Sequence, residues 1–326
     1  MLSLCMIAKN EGLLLEQCLS SVKDLVSEII VVLDTSSSDA TKDIAERFGA
    51  KVIVRPWSHD FSAARNVALS HATKPWILVL DGDEVLDPND HDVIRKLLLD
   101  EKFQGYSLQQ RTYTNDTSLE GFFPCKDDLL HKSFAGFVSC NIVRLFRNDV
   151  SFRFVGPVHE YVEDAVLAKG AVGVTSLMIH HYQELKGFDV FRQKQIEYLR
   201  LYEENIVLYP NQARAYRHMG NICYTFTKNY DKAIQYFKKS LELKPDERSY
   251  LGLGWCYIAL DDFVHAEEAF KQGLEVNRTN QTLWISRGKL YVLMRKPKAA
   301  ITCFENALKL GPNAAVQEML HRLQQV

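Results

Sequence analysis

No run of apolar residues in this 326-residue chain approaches the ~18 that a bilayer-spanning helix needs, so no membrane span is expected. The opening stretch MLSLCMIAKNE has no basic segment ahead of its apolar residues and no small-residue cleavage site, and it reads as a first strand rather than an export signal. The seven cysteines (5, 18, 125, 140, 223, 256 and 303) include no CxxC pair and no His-linked spacing of the zinc type. An odd number without a pairing pattern suits a reducing cytoplasm better than a disulfide framework. Charge of one sign is scarce too: the net value is −2, and nothing in it calls for a nucleic-acid partner. What is present, 47% apolar and 25% charged residues over this length, is an ordinary globular composition with room for about two domains.

The charge is unevenly spread. Residues 1–209 hold 22 Lys and Arg against 30 Asp and Glu, whereas residues 210–326 hold 17 against 11. Such a split fits two modules with different partners, or two halves of complementary charge.

The two parts also follow different rules of spacing. Up to about residue 100, short apolar runs (LSLCMIA, EIIVVLD, KVIVR, WILVLD) alternate with helical patterns (EGLLLEQCLSSVKDL, ATKDIAERFG, SAARNVALSHA), which predicts a parallel sheet covered by helices. Ligands of such sheets collect at the carboxyl ends of the strands. Three of those ends carry polar residues: Lys9-Asn10-Glu11, Asp34-Thr35-Ser36 and Asp81-Gly82-Asp83. From about residue 210, Gly220, Gly254 and Gly288 recur every 34 residues, and Ala233, Ala266 and Ala300 every 33 or 34. Each alanine is followed four residues later by Phe237, Phe270 or Phe304, and Tyr216, Tyr250 and Trp284 precede the glycines by four. This pattern resembles the tetratricopeptide repeat, in which small residues let paired helices pack closely while aromatics fill between them. The first copy has one extra residue between Gly220 and Ala233, and AVQEMLHRLQQV is expected to cap the stack.

Asp81, Asp83 and Glu84 lie too close together to stay charged without something positive among them: a metal ion, a ring of Lys and Arg, or water. A second Asp-x-Asp, Asp90-His91-Asp92, opens a predicted helix VIRKLLL, where acidic residues favour the helix dipole. The first pair instead ends a strand. Oxygen ligands there suit Mg²⁺ or Mn²⁺, ions that take one or two carboxylates plus substrate phosphates. A Glu beginning EYVEDAVLA, Glu160, is either a helix-start carboxylate or a general base. Arg144 and Arg147 serve either a phosphate-bearing ligand or scaffold ion pairs, and the aromatic, unperiodic stretch 103–140 reads as irregular structure of the kind that forms lids or binding loops.

The segments MIAKNE, VVLDTSSSDAT, FGAKV, HDFSAARNVAL and WILVLDGDEVL together resemble family 2 glycosyltransferases of the GT-A fold. More narrowly they resemble the bacterial subgroup with C-terminal tetratricopeptide repeats, among whose relatives are sublancin-type peptide S-glycosyltransferases. The resemblance is dense over 1–100, thins over 101–140, and resumes at VGPVHEYVE and IHHY. It implies an α/β, Rossmann-like GT-A domain over 1–205 and an all-α repeat solenoid over 206–326. It further implies a cytoplasmic, metal-dependent, inverting transferase using a nucleoside diphosphate sugar, with a UDP-sugar preferred. Carried onto this chain, Ala8 and Glu11 line the base pocket and Asp34 contacts the uracil or ribose. Arg65 and Asn66 lie near the nucleotide and diphosphate. Asp81 reaches the ribose or the metal through water, and Asp83 ligates the metal. Glu160 is the base, with His159 orienting it or touching the diphosphate, and one of His180 and His181 adds a metal ligand. The usual Asp-Ala-Asp is Asp-Gly-Asp here, and Thr35 stands where many members carry a second Asp.

The concave face of a repeat stack suits an extended peptide or protein acceptor, or a second copy of the chain. A cell-surface polysaccharide or lipid-linked glycan is the next acceptor class. A non-catalytic repeat scaffold with a degenerate nucleotide domain is opposed by the intact Asp34, Asp81-Gly-Asp83 and Glu160. A nucleotidyltransferase is opposed by a first loop, KNEGLLLE, that lacks the Gly- and Arg-rich character needed to hold a triphosphate.

Overall fold

The computed structural model describes residues 1–324 other than Ser118, Glu120, Lys126, Asp127, His131, Ser133, His159 and 207–209. The chain divides into two compact units, Met1–Phe191 and Arg192–Val326. The division falls inside the helix Phe188–Asn205, whereas the resemblance implies a boundary at 205/206. Among the described residues no helix is long and apolar enough to cross a membrane.

The first unit begins with β1 (Leu2–Ala8), α1 (Leu15–Val22), β2 (Glu28–Asp34), α2 (Thr41–Arg47), β3 (Lys51–Arg55), α3 (Phe61–His71) and β4 (Trp76–Val79). It continues through β5 (Glu84–Leu86), α4 (His91–Leu97), β6 (Gly105–Thr114), β7 (Phe123–Pro124), β8 (Gly136–Arg147), α5 (Glu163–Leu167) and β9 (Val172–His181). One sheet runs in the order β3-β2-β1-β4-β8-β6-β9-β5, with β7 on β8. The first four strands are parallel, joined by helices. The two crossovers after β1 build outward to β3, and the third returns to place β4 on β1's other side, so the crevice between the ends of β1 and β4 is the topological switch point.

The central strands read as unbroken apolar runs because both of their faces are covered. Leu2, Leu4 and Met6 of β1 pack with Leu15, Cys18 and Leu19 of α1 and Ile94 of α4. Cys5 on the opposite face packs with Ala68 and Leu69 of α3 and with Phe146, Phe152 and Phe154.

Beyond β4 the sheet becomes mixed. Strand β8 runs antiparallel to β4 in the register Leu78↔Leu145, and β6 is antiparallel to β8. Strand β6 and the start of β8 thus fall within the stretch 103–140 that lacks periodicity in sequence. Both strands are buried at their ends and partly exposed in the middle, so apolar alternation is blurred and cross-strand pairing carries them. At Asp90-His91-Asp92, Pro88–Asp90 forms a 3₁₀ turn before α4, and Asp87 supplies the capping oxygen to the Asn89 N–H at 2.9 Å.

The second unit pairs α7 (Ala213–Ile222) with α8 (Tyr230–Leu243), α9 (Glu247–Ala259) with α10 (Phe263–Val276), and α11 (Gln281–Leu293) with α12 (Pro297–Leu310). They follow α6 (Phe188–Asn205) and end in α13 (Ala314–Gln324). The repeated Gly–Phe spacing is a packing device. A Cβ at Gly220, Gly254 or Gly288 would come within 2.8, 2.3 or 2.5 Å of the ring of Phe237, Phe270 or Phe304, each of which is fully buried. The extra residue of the first repeat is absorbed by a π-helical turn, Cys223–Thr227, which ends at Lys228 in the left-handed region.

Candidate active site

Three loops meet at the switch point, after β1, β4 and β9. Glu11 comes from the first, with its N–H bonded to Thr41 Oγ1 at 2.7 Å. Asp39 ties this loop to the one after β2 by accepting from the Gly12 N–H at 2.8 Å and the Thr41 N–H at 3.0 Å. It therefore braces the start of α2 from one residue before the N-cap position, Ala40. From β4 come Asp81 and Asp83. From the end of β9, held opposite Glu84 of β5, comes His181, and the following 3₁₀ turn Gln183–Lys186 delivers Lys186.

The carboxylates are partly neutralised by a ring of cations. Arg65 Nη2 lies 2.8 Å from Asp81 Oδ1, and Arg65 Nε donates to Glu160. Arg144 Nη2 lies 3.2 Å from Asp81 Oδ2 and 3.3 Å from Glu84 Oε1. Lys186 Nζ lies 2.8 Å from Asp83 Oδ2 and 2.6 Å from Glu11 Oε2. Glu84 also accepts from Gln110 and, through its other oxygen, from the Asp81 N–H at 2.8 Å. Glu11, Asp81, Asp83, Glu84 and Glu160 against Arg65, Arg144 and Lys186 leave two negative charges in excess before His181 is counted.

These partners set the protonation states. Burial works against the Asp81 carboxylate, but Arg65 and Arg144 overcome it and hold Asp81 well below the usual range. Burial likewise works against the Lys186 ammonium, and Asp83 and Glu11 raise it above its ordinary value. His181 is raised by Asp83 against the effect of burial. The Cys18 thiol, which donates to the Asp81 carbonyl at 3.4 Å, is pushed well up by burial and by the same carboxylates, so it stays protonated.

The two histidines part company because successive residues of a strand face opposite sides. His181 Nε2 is 3.6 Å from Asp83 Oδ1, with Nδ1 3.0 Å from Thr112 Oγ1. His180 points into an aromatic cluster: its Nδ1 is 2.7 Å from the Tyr113 hydroxyl, its ring stacks on Tyr113, and burial takes it down to about 4. It does not join the carboxylates.

Ala8 is buried at the end of β1 beside Leu33 of β2. Asp34 ends β2, where Oδ1 accepts from the Ser36 N–H at 2.8 Å and Oδ2 is 3.2 Å from Lys9 Nζ, whose side chain is half exposed. Asn66 is tied by both ends of its amide to the backbone of Phe154, at 2.9 and 2.8 Å, and so braces α3 rather than reaching the cluster. His159 lies outside the described residues. Of the two arginines left open by sequence, Arg144 joins the cluster. Arg147 binds the carbonyls of Phe103 and Asp100 and covers Trp76, at the other end of β4. Lys186, the cation of Asp83, carried no signal in sequence: KGF after YQEL matches no motif, and only the β9 register brings it in.

A divalent cation finds a limited donor set. Among the described residues no three of His, Cys, Asp and Glu converge on one point. Both oxygens of Asp81 face guanidinium groups, which leaves Asp83 Oδ1 and His181 Nε2, 3.6 Å apart. That spacing is wider than the ~3.0 Å between adjacent donors on the ~2.1 Å bonds of octahedral Mg²⁺, so the two side chains would have to close by about 0.6 Å on an ion that completes its shell with substrate phosphates and water. With that closure the residues fit an ion held by Asp83 and His181, with Asp81 engaged by arginine.

Residues 3–124 match the profile of Glycosyl transferase family 2, and 213–247, 247–280 and 282–313 match that of the Tetratricopeptide repeat. A TPR repeat-containing protein of Synechococcus elongatus is 41% identical over 167 residues, 51% of this chain and 36% of that protein. The prophage-derived glycosyltransferase SunS of Bacillus subtilis is 27% identical over 237 residues, 72% of this chain and 52% of that protein. An uncharacterized glycosyltransferase of Rickettsia bellii is 34% identical over 144 residues, 42% of this chain and 48% of that protein. The chain thus spans from about a third to about half the length of these relatives.

Proposed function

We propose that this chain, a family 2 glycosyltransferase domain followed by tetratricopeptide repeats, is a metal-dependent inverting glycosyltransferase. It moves a sugar from a UDP-sugar to a peptide or protein acceptor. The observation that carries this reading is the paired carboxylate and guanidinium network at the switch point, where parallel sheets bind nucleotides. The acceptor preference rests on the repeats, whose stacked helices present an extended surface to a polypeptide, and on the likeness to SunS.

In the reaction, the acceptor's nucleophilic atom attacks the anomeric carbon. The bond from that carbon to the diphosphate oxygen breaks with its electron pair, and the acceptor's proton passes to Glu160. Arg65 fixes the Glu160 carboxylate from one side and Asp81 from the other, so base and donor pocket share one support. Asp34, at the end of β2, faces the nucleoside once the half-exposed Lys9 swings aside. Asp83 and His181 would hold Mg²⁺ or Mn²⁺, which would offset the charge of the departing diphosphate.

The test is UDP release from a panel of UDP-sugars with Mn²⁺ or Mg²⁺, comparing the wild type with Asp83→Ala. Metal-dependent hydrolysis of one donor, lost in a folded Asp83→Ala protein, is the expected result. Failure to bind UDP by calorimetry, with or without metal, would overturn the reading.

A further inference from the structure

Lys186 stands where the charge of a metal ion is wanted. Its ammonium bridges Asp83 and Glu11 at 2.8 and 2.6 Å, and its side chain is only 19% exposed. The bridge is built into the backbone on both sides. The Tyr182 N–H bonds the Asp83 carbonyl at 3.0 Å, which fixes the start of the turn carrying Lys186 against the Asp-Gly-Asp loop. Glu11 lies across Gly82, where a Cβ would come within 2.7 Å of Glu11 Cβ and Cγ. Glycine between the two aspartates is therefore what lets Glu11 reach over the loop to Lys186.

The remaining oxygen of Asp83, Oδ1, is the one facing His181. A divalent ion bound there would share one carboxylate with a buried ammonium, and like charges a few ångströms apart in a part-buried site repel strongly. We infer that Lys186 is a resident counter-ion of Asp83 and Glu11 that competes with the divalent cation, so that the nucleotide-free protein binds the metal weakly. Full metal affinity then appears only when a diphosphate brings its own negative charge. This rests on the glycosyltransferase reading for the identity of the ion. It makes Lys186 a positioning residue that sets the order of binding, nucleotide before or together with metal.

The test is Mn²⁺ titration of the full chain without nucleotide, read by electron paramagnetic resonance of free Mn²⁺. Wild type is compared with Lys186→Met, Lys186→Arg and Lys186→Gln. The glutamine variant keeps a hydrogen-bond donor and replaces the methionine variant if that one fails to fold. The neutral variants are expected to bind Mn²⁺ at least about tenfold more tightly than wild type, with the arginine variant close to wild type. Equal affinity in all four, or no Mn²⁺ binding by a folded neutral variant, overturns the inference. UDP titration of the wild type in chelator and in Mn²⁺ separates the two failures. UDP binding alongside an unchanged Mn²⁺ affinity sinks the role of Lys186 alone. No UDP binding under either condition sinks the glycosyltransferase reading, and with it the basis of the inference.

Discussion

Replacing Arg65 by methionine removes one cation from two carboxylates at once. The side chain is 6% exposed and bonds Asp81, at 31%, and Glu160, at 10%, while lying 5.5 Å from the Phe154 ring centroid. Removing one partner of a buried ion pair costs about 3–5 kcal/mol, since the remaining charge is left buried without compensation. Asp81 retains Arg144 and is partly solvated, which places the expected loss near the lower limit, about 3 kcal/mol at pH 7. For a unit of this size that corresponds to a melting temperature lower by about 6–12 °C. The pH dependence carries the diagnostic. Asp81 is opposed by burial but held low by Arg65 and Arg144, so its contribution is full above the unfolded carboxylate value of about 4. That contribution is lost as pH falls through the folded value. In Arg65→Met the Asp81 carboxylate, left with Arg144 alone, protonates at higher pH and is relieved by it, so the stability gap should narrow below about pH 4. Urea denaturation followed by circular dichroism between pH 7 and pH 3 measures both. A gap under about 1 kcal/mol, or one that does not change with pH, would refute the assignment of Arg65 as the shared counter-ion.

Two further outcomes are expected. His180 is driven down to about 4 by burial, with Arg111 adding to it, so the neutral folded form is penalised as the unfolded chain protonates between about pH 6.5 and pH 4. His180→Phe should lose up to about 3 kcal/mol less stability across that window, in exchange for a pH-independent cost of about 1 kcal/mol from the Tyr113 hydroxyl, and parallel curves for both proteins would contradict this. Gly254→Ala should destabilise the repeat unit by a net ~1–2 kcal/mol in chemical denaturation. Overpacking the Phe270 ring, 2.3 Å from the new Cβ, outweighs the gain of up to about 1 kcal/mol in helix propensity, and an unchanged or higher stability would count against the packing account.

Much of the fold is legible locally. Runs such as LSLCMIA and EIIVVLD, both followed by polar residues, become β1 and β2 because a strand covered on two faces needs no alternation. The 34-residue recurrence of glycine against phenylalanine becomes three helix pairs because each Gly makes room for one Phe ring. Strands β6 and β8 were not legible, since their half-exposed middles carry mixed side chains and their existence depends on pairing with each other. The π turn at Cys223–Thr227 was visible only as one surplus residue between Gly220 and Ala233, with no local sign of where the helix would absorb it.

The site divides in the same way. Sequence by itself determined that carboxylates gather at strand ends, since Glu11, Asp34, Asp81 and Asp83 each follow an apolar run that must be a buried strand. Their charge balance was decided by the tertiary structure alone. Arg65 and Glu160 lie 95 residues apart in sequence, Arg144 and Asp81 lie 63 apart, and Lys186 and Glu11 lie 175 apart. Ion pairing depends on which charged groups the sheet register and the turns bring within a few ångströms, and Coulomb attraction has no sequence periodicity to announce it. The β4–β8 register carries Arg144 to Asp81, and the end of β9 carries His181 and Lys186 to Asp83, while His180, one residue earlier on the strand, faces away.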